Sequence, residues 1–150
     1  MVVRDDNDAL VGVFLDADAS ASLGRPDRAA IVIQTDVFGT TRTYIVDVTP
    51  SSFQSVDARG IDHGWFKQIN CGGDLFKDQA PLLGMEVAFV ESGFAHIADS
   101  TAVPESFTAL SVRESDGRCS SPTSIPVTDV IATVDVDLDA LFVPDYTLGF

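Results

Sequence analysis

Lysine, glutamate, histidine, cysteine and methionine are all scarce in this 150-residue chain, and each scarcity closes off a class of answer. Only nine basic residues, two of them lysine, stand against 23 acidic ones. A surface with that balance repels phosphate backbones, which argues against direct, sequence-specific nucleic-acid binding. Four glutamates against 19 aspartates point to a chain poor in helix, because glutamate is the better helix former. No apolar run approaches the 18 or so residues of a membrane span, so no membrane partner is expected. The opening "MVVRDDNDAL" lacks an apolar stretch of signal-peptide length, which leads us to expect an unsecreted, cytoplasmic protein unless it is packed into a virion. Two cysteines, Cys71 and Cys119, are too few for a disulfide scaffold. Free thiols are the expectation in such a chain, although pairing would close a loop worth about 4 kcal/mol. Neither G-x-G-x-x-G nor G-x-x-x-x-G-K occurs, and no other cofactor motif is present, so no cofactor is expected.

What is abundant is aspartate and apolar β-forming sequence. The formal net charge is −14, while 45% of the residues are hydrophobic, enough for a folded core. Abundant aspartate with little lysine matches proteins that work in high salt, where a Debye length of about 3 Å at 1 M screens self-repulsion. GC-rich codon usage offers a second explanation of the same bias.

Period-two patterns run through most of the chain. Strands are expected at "ALVGVFL" (9–15), "AAIVIQT" (29–35), "TRTYIVDV" (41–48), "MEVAFVE" (85–91), "FAHIA" (94–98), "FTALSVRE" (107–114) and about 127–139. Tight turns at Phe38-Gly39-Thr40, at Ser92 and Gly93, and at Asp116 and Gly117 separate some of them. One short helix is expected at about 50–59, capped by Thr49, opened by Pro50 and stopped at Gly60. An irregular excursion is expected at about 63–84. The fold class is therefore mainly β: a single β-sandwich or β-barrel in one domain, with an acidic N-terminal segment and an apolar C-terminal arm at about 141–150.

Three groups of residues could carry chemistry. In "VTDVIATVDVDLDALFV" (127–143), Asp135, Asp137 and Asp139 alternate with Val134, Val136 and Leu138, so strand geometry sends the acids to one face and the apolar set to the other. A calcium loop starting at Asp135 would need glycine where Ala140 stands and glutamate where Tyr146 stands, so a solvated face is the reading. In "DADASASLGRPD" (16–27), Asp16, Asp18, Ser20 and Asp27 imitate a calcium loop, but Ala21 replaces its glycine; a mobile acidic loop is the simpler expectation. His63 and His96 are the candidate acid–base groups of an enzyme, yet no G-x-S-x-G elbow accompanies them, and a satisfied structural histidine is expected at 96. Zinc at Cys71, Cys119, His63 and His96 fits no paired spacing, so no metal site is expected.

Aromatic and apolar residues say more. The sequence closes on "LFVPDYTLGF", and an apolar arm must bury itself on its own core or on a neighbour. Trp65, Phe66, Phe142, Tyr146, Leu148 and Phe150 are the candidate interface anchors, because buried aromatics dominate interface energetics. The composite expectation is a non-enzymatic assembly protein, a homo-oligomer that also meets other virion structural proteins. Tail-tube, tail-completion and capsid-decoration subunits of tailed viruses match it in size, class and composition. The alternatives are a β-barrel holding a small ligand, and a hydrolase or isomerase using His63 or His96.

The charge makes a direct prediction. Raising potassium chloride from about 0.1 M to about 2 M should raise the melting temperature by about 3 °C, roughly 1 kcal/mol for a domain of this size. A flat melting temperature across that range would remove the high-salt argument.

Overall fold

The expected strands form where the period-two pattern is strongest. A computed structural model describes residues 1–15, 28–56 and 63–149, with the backbone alone at 148 and 149. Strands β1 (Val2–Arg4), β2 (Leu10–Phe14), β3 (Ala29–Val37), β4 (Thr40–Val48) and β5 (Phe53–Gln54) lie in one sheet. Its order is β15-β1-β2-β3-β4-β5, where β15 is Thr147–Gly149. Strand β8 (Glu86–Val87) runs parallel to β4, pairing Tyr44 with Glu86.

The second sheet takes β6 (His63–Phe66), β7 (Phe76–Lys77), β9 (Phe89–Glu91), β10 (Phe94–Ala98), β12 (Ser111–Glu114), β13 (Cys119–Ser120) and the long β14 (Ile125–Asp137). Its order is β13-β12-β6-β7-β14-β10-β9, with β11 (Glu105–Ala109) on the first part of β14. The sheets are stitched together where β8 runs into β9. Ala88 N–H donates to the Ile45 carbonyl at 3.0 Å, and Val90 N–H to Ser55 Oγ at 2.7 Å. The result is a curled, barrel-like β fold, as the pattern implied. Among the described residues no helix is long and apolar enough to cross a membrane.

Burial explains why β3 and β4 are central. Five successive residues of β4, Tyr44 to Val48, are all buried, so both faces of that strand are covered. One face looks into a core of Val3, Ile31, Ile33, Tyr44, Val46, Ala95, Ile97 and Val136. The other face, through Ala30 and Ile45, meets Val56, Phe66, Leu75, Val87 and Phe89. Asp47 lies on that second side and is fully buried, its carboxylate 2.9 Å from the Arg28 guanidinium.

Several expectations need correction. Residues 50–56 hold a Thr49–Ser52 turn and β5 instead of a helix, and 57–62 lie outside the described residues. Thr49 does cap, but it caps a turn: its hydroxyl accepts from the Ser52 amide at 3.0 Å. Among the described residues the one short α-helix is α1 (Leu138–Leu141), which follows β14 directly. The stretch 63–84 is irregular over 67–75 and 78–84, as expected, but β6 and β7 within it sit inside the second sheet. Strands of four and two residues are too short to show a period, which is why the pattern missed them. The cysteines are bonded to each other rather than free. Pairing β6 with β12, and β12 with β13, carries the 3-10 turn Ile69–Cys71 alongside Cys119, 48 residues away in sequence.

The C-terminal arm folds onto its own barrel. Asp5 is the hinge pin: one carboxylate oxygen accepts from the amides of Asn7 and Ala9, the other from the Val143 amide at 3.0 Å. Asp6 N–H returns a bond to the Val143 carbonyl. The Val143 amide and the two local amides hold the Asp5 carboxyl below the usual carboxylate range against the opposing effect of burial. The arm thereby lays Tyr146 against Phe53, ring centroids 4.8 Å apart, and β15 against β1. Burial pushes the Tyr146 phenol up to about 12.

Tyr146→Ala should therefore destabilise the protomer itself, by about 3 kcal/mol in equilibrium denaturation. A change below about 0.5 kcal/mol would show that the ring is not part of the core.

Candidate functional site

The most polar cluster is built by the turn between β9 and β10. Its two-residue loop, Ser92 and Gly93, sets the register so that His96 lies opposite Phe89 on one side and opposite Asp135 of β14 on the other. Ala95 and Ile97 point into the first core, so alternation sends His96 to the other face, where its ring stacks on Phe89 at 5.5 Å. Only 5% of the residue is exposed. Its Nδ1 is 2.7 Å from Asp135 Oδ1, and its Nε2 is 3.2 Å from Glu91 Oε1.

Two carboxylates thus share one imidazole. A doubly protonated ring donates to both, whereas a neutral ring can donate to one only. Asp135 feels this directly: the His96 hydrogen bond holds its carboxyl below the usual range, against burial and with help from the ring's charge. Beside the cluster lies a cavity of about 280 Å³, lined by Asp74, Arg113 and Thr133 as well as by the three partners. Among the described residues neither ring nitrogen of His96 bonds to a hydroxyl. Both ring nitrogens are engaged by carboxylates, which is not the geometry of a Ser-His-Asp base.

The other candidate groups scatter. His63 lies 3.0 Å from Glu114 and stacks on Trp65 at 5.4 Å, some way along the second sheet. The two cysteines are spent in their disulfide. Among the described residues no group of three or more His, Cys, Asp or Glu is placed to hold a metal ion. The aspartate row is not one continuous wet face: β14 ends at Asp137, whose carboxylate accepts from Ala140 N–H at 3.1 Å and caps α1. Asp139 has turned off into that helix, close against Gly93. The acidic loop 16–27 lies outside the described residues.

Of the expected interface anchors, Phe66 and Tyr146 are core residues, at 3% and 6% exposure. Phe142 packs on the first core with its ring 5.9 Å from Phe53. Trp65 is half-buried, and its indole N–H donates to Asp78 at 3.3 Å. Leu148 pairs with Val3 through its backbone; its side chain and Phe150 lie outside the described residues.

The apolar residues that do face water are elsewhere, and sequence reasoning passed over them. Phe38 is 93% exposed, Val103 70% and Leu83 65%. All three sit at one end of the barrel. Phe38 tips the β3–β4 hairpin, and the parallel pairing of β8 with β4 brings the Leu83 turn to the same end. Strand β10 also leads there: Asp99, Ser100 and Thr101 line a cavity with Phe38, and Val103 follows two residues on. Glu86 holds this end together: its carboxylate meets Arg42 at 3.0 Å and Lys77 at 3.3 Å, and accepts from the Ala98 amide. Burial pulls the Lys77 ammonium down from its ordinary value, an effect that Glu86 opposes. The available signal was a bulky apolar residue in front of glycine, at Phe38-Gly39 and Leu83-Gly84.

The histidine cluster predicts an acid-dependent stability. Because the folded Asp135 carboxyl titrates below its unfolded value, its contribution is present above the usual carboxylate range and is lost as pH falls through the folded value. Asp135→Asn should cost about 1 kcal/mol near neutrality, a low value because the side chain is 62% exposed and water screens it. The gap between parent and variant melting temperatures should close in acid; a gap that stays constant down to about pH 2 would show that the His96 contact does not stabilise the fold.

No protein-family model matches this chain, and no curated protein or solved structure is significantly similar to it.

Proposed function

We propose that this chain is a non-enzymatic assembly component that associates with copies of itself and with other structural proteins, in the manner of a tailed-virus tail or capsid subunit. One observation carries the reading. The first sheet ends on the C-terminal strand β15, and its outer edge pairs with no further strand among the described residues. An open strand edge is a template for pairing with another chain, and natural proteins ordinarily blunt one unless it is used. The edge strand has only three residues, but Thr147, Leu148 and Gly149 carry no charge, proline or bulge to blunt it. The disulfide is in keeping with a particle that meets oxidising surroundings, as virion surfaces do.

Symmetric pairing through this edge would add backbone hydrogen bonds that depend little on the repulsive charge, and high salt would favour it further. The test is to remove residues 147–150, which spares Tyr146 and the core. Light scattering at low and molar salt should give the parent a multimeric mass and the truncated chain a monomeric one, with near-parental β-sheet circular dichroism in both. A parent that is monomeric at both salts ends the self-association reading. A truncated chain that assembles as the parent does moves the contact away from β15.

A further inference from the structure

We infer that the barrel end bearing Phe38, Leu83 and Val103 is a second, separate docking surface, and that its partner is a protein presenting apolar pockets rimmed by lysine and arginine. This rests on the assembly reading and names the kind of heterologous partner it requires.

The argument begins with backbone geometry. Among the described residues three turns that end in glycine have positive φ at both positions: Phe38 and Gly39 (49° and 80°), Leu83 and Gly84 (52° and 72°), Ser92 and Gly93 (49° and 80°). Such turns suit the twist of a hairpin but favour asparagine, aspartate or glycine at the first position. A bulky side chain there costs about 1 kcal/mol or more. At the third turn the first residue is small and polar, and its glycine is packed against Asp139 of the same chain. At the other two the side chain is large, apolar and in water, and a Cβ added at Gly39 or Gly84 would meet nothing within 4 Å.

Single exposed apolar residues are ordinary. Two of them in left-handed turn positions, at one end of a barrel, are not explained by the protomer. Asparagine would suit both the backbone and the water better. Both side chains are largely uncovered by the described residues, so the benefit we infer for them lies outside the chain. The tips also stand on a firm base, since Glu86 ties together β4, β7 and the end of β10 directly beneath them.

Charge selects the partner. Asp36 lies in the hairpin that Phe38 tips, and Asp99 lies across a cavity of about 260 Å³ from Phe38. With a net charge of −14, the chain would favour a basic rim and disfavour an anionic lipid surface. A second copy offers little of that rim. Of the seven described Lys and Arg residues, Arg4, Arg28, Arg42, Lys67, Lys77 and Arg118 each face a carboxylate of their own chain, and Arg113 donates to the Gly117 carbonyl.

The experiment selects binders to the parent from a displayed library of random peptides, and measures their affinity for Phe38→Asn/Leu83→Asn and for Leu141→Gln, an exposed apolar control on α1. Binders that the double variant loses should join aromatic or aliphatic residues to lysine or arginine. Their affinity should fall at least about tenfold on the double variant, and less than about twofold on the control. The melting temperature of the double variant should stay level or rise, so a fall in binding cannot be charged to misfolding. Binders without basic residues, or binders that ignore the double variant, would overturn the proposal. Two further results would replace the partner: tip-dependent binding to phosphatidylcholine vesicles would make it a membrane, and loss of the parent's multimeric mass in the double variant would make it a second copy. A parent that is monomeric throughout would defeat self-association through β15 and leave the peptide result standing.

Discussion

The β3–β4 hairpin is covered on both faces, and most of the architecture follows from meeting that demand. Nine residue pairs run from Ala29 and Val48 to Val37 and Thr40. Around Tyr44 to Val48 neither face reaches water. One curled sheet can cover only one side. The chain therefore closes β1, β2, β10 and β14 over the first core, and brings Phe66, Leu75 and Phe89 over the second. Strands β8 and β9 serve both: Val87 and Phe89 face one core, Ala88 and Val90 the other. Backbone groups in so dry a region must all be paired, and β8 running parallel to β4 is one way of doing it.

The few cations are spent on internal constraints. Arg28 compensates the buried Asp47, while Arg42 and Lys77 converge on Glu86. Removing one partner of a buried pair leaves an uncompensated charge, so these residues are held in place by the cost of losing them rather than by a large net gain. His96 acts similarly between Asp135 and Glu91, joining β9, β10 and β14 across the face away from the first core. The net charge of −14 leaves a large excess of acid on the outside. Such a surface limits adventitious association, and leaves specific contacts to uncharged edges and to apolar points.

Two such places lie apart on the molecule: the outer edge of β15, and the barrel end tipped by Phe38 and Leu83. The opposite end of the barrel is different in kind, with Ser92, Gly93 and the capped helix α1 packed closely together. On the proposed assembly reading, an open edge at β15 and a distinct apolar end would give the polarity needed for ordered stacking or for a cap at a defined position.

Local physics was legible in the residues themselves. Strands β2, β3, β4, β10 and β14 follow from period two, and the turns at Gly39, Gly93 and Gly117 follow from glycine's freedom at positive φ. The acidity of the surface and the mainly β class follow from composition. Long-range pairing was not legible. Whether Cys71 meets Cys119, whether His96 faces a hydroxyl or two carboxylates, and whether Tyr146 covers its own barrel all depend on which distant strands lie side by side. Register is set by the summed burial of both cores, a quantity that no short window contains. The same holds for Phe38. Its type and its glycine neighbour could be read at once, but only the tertiary structure decided that none of the described residues would cover it.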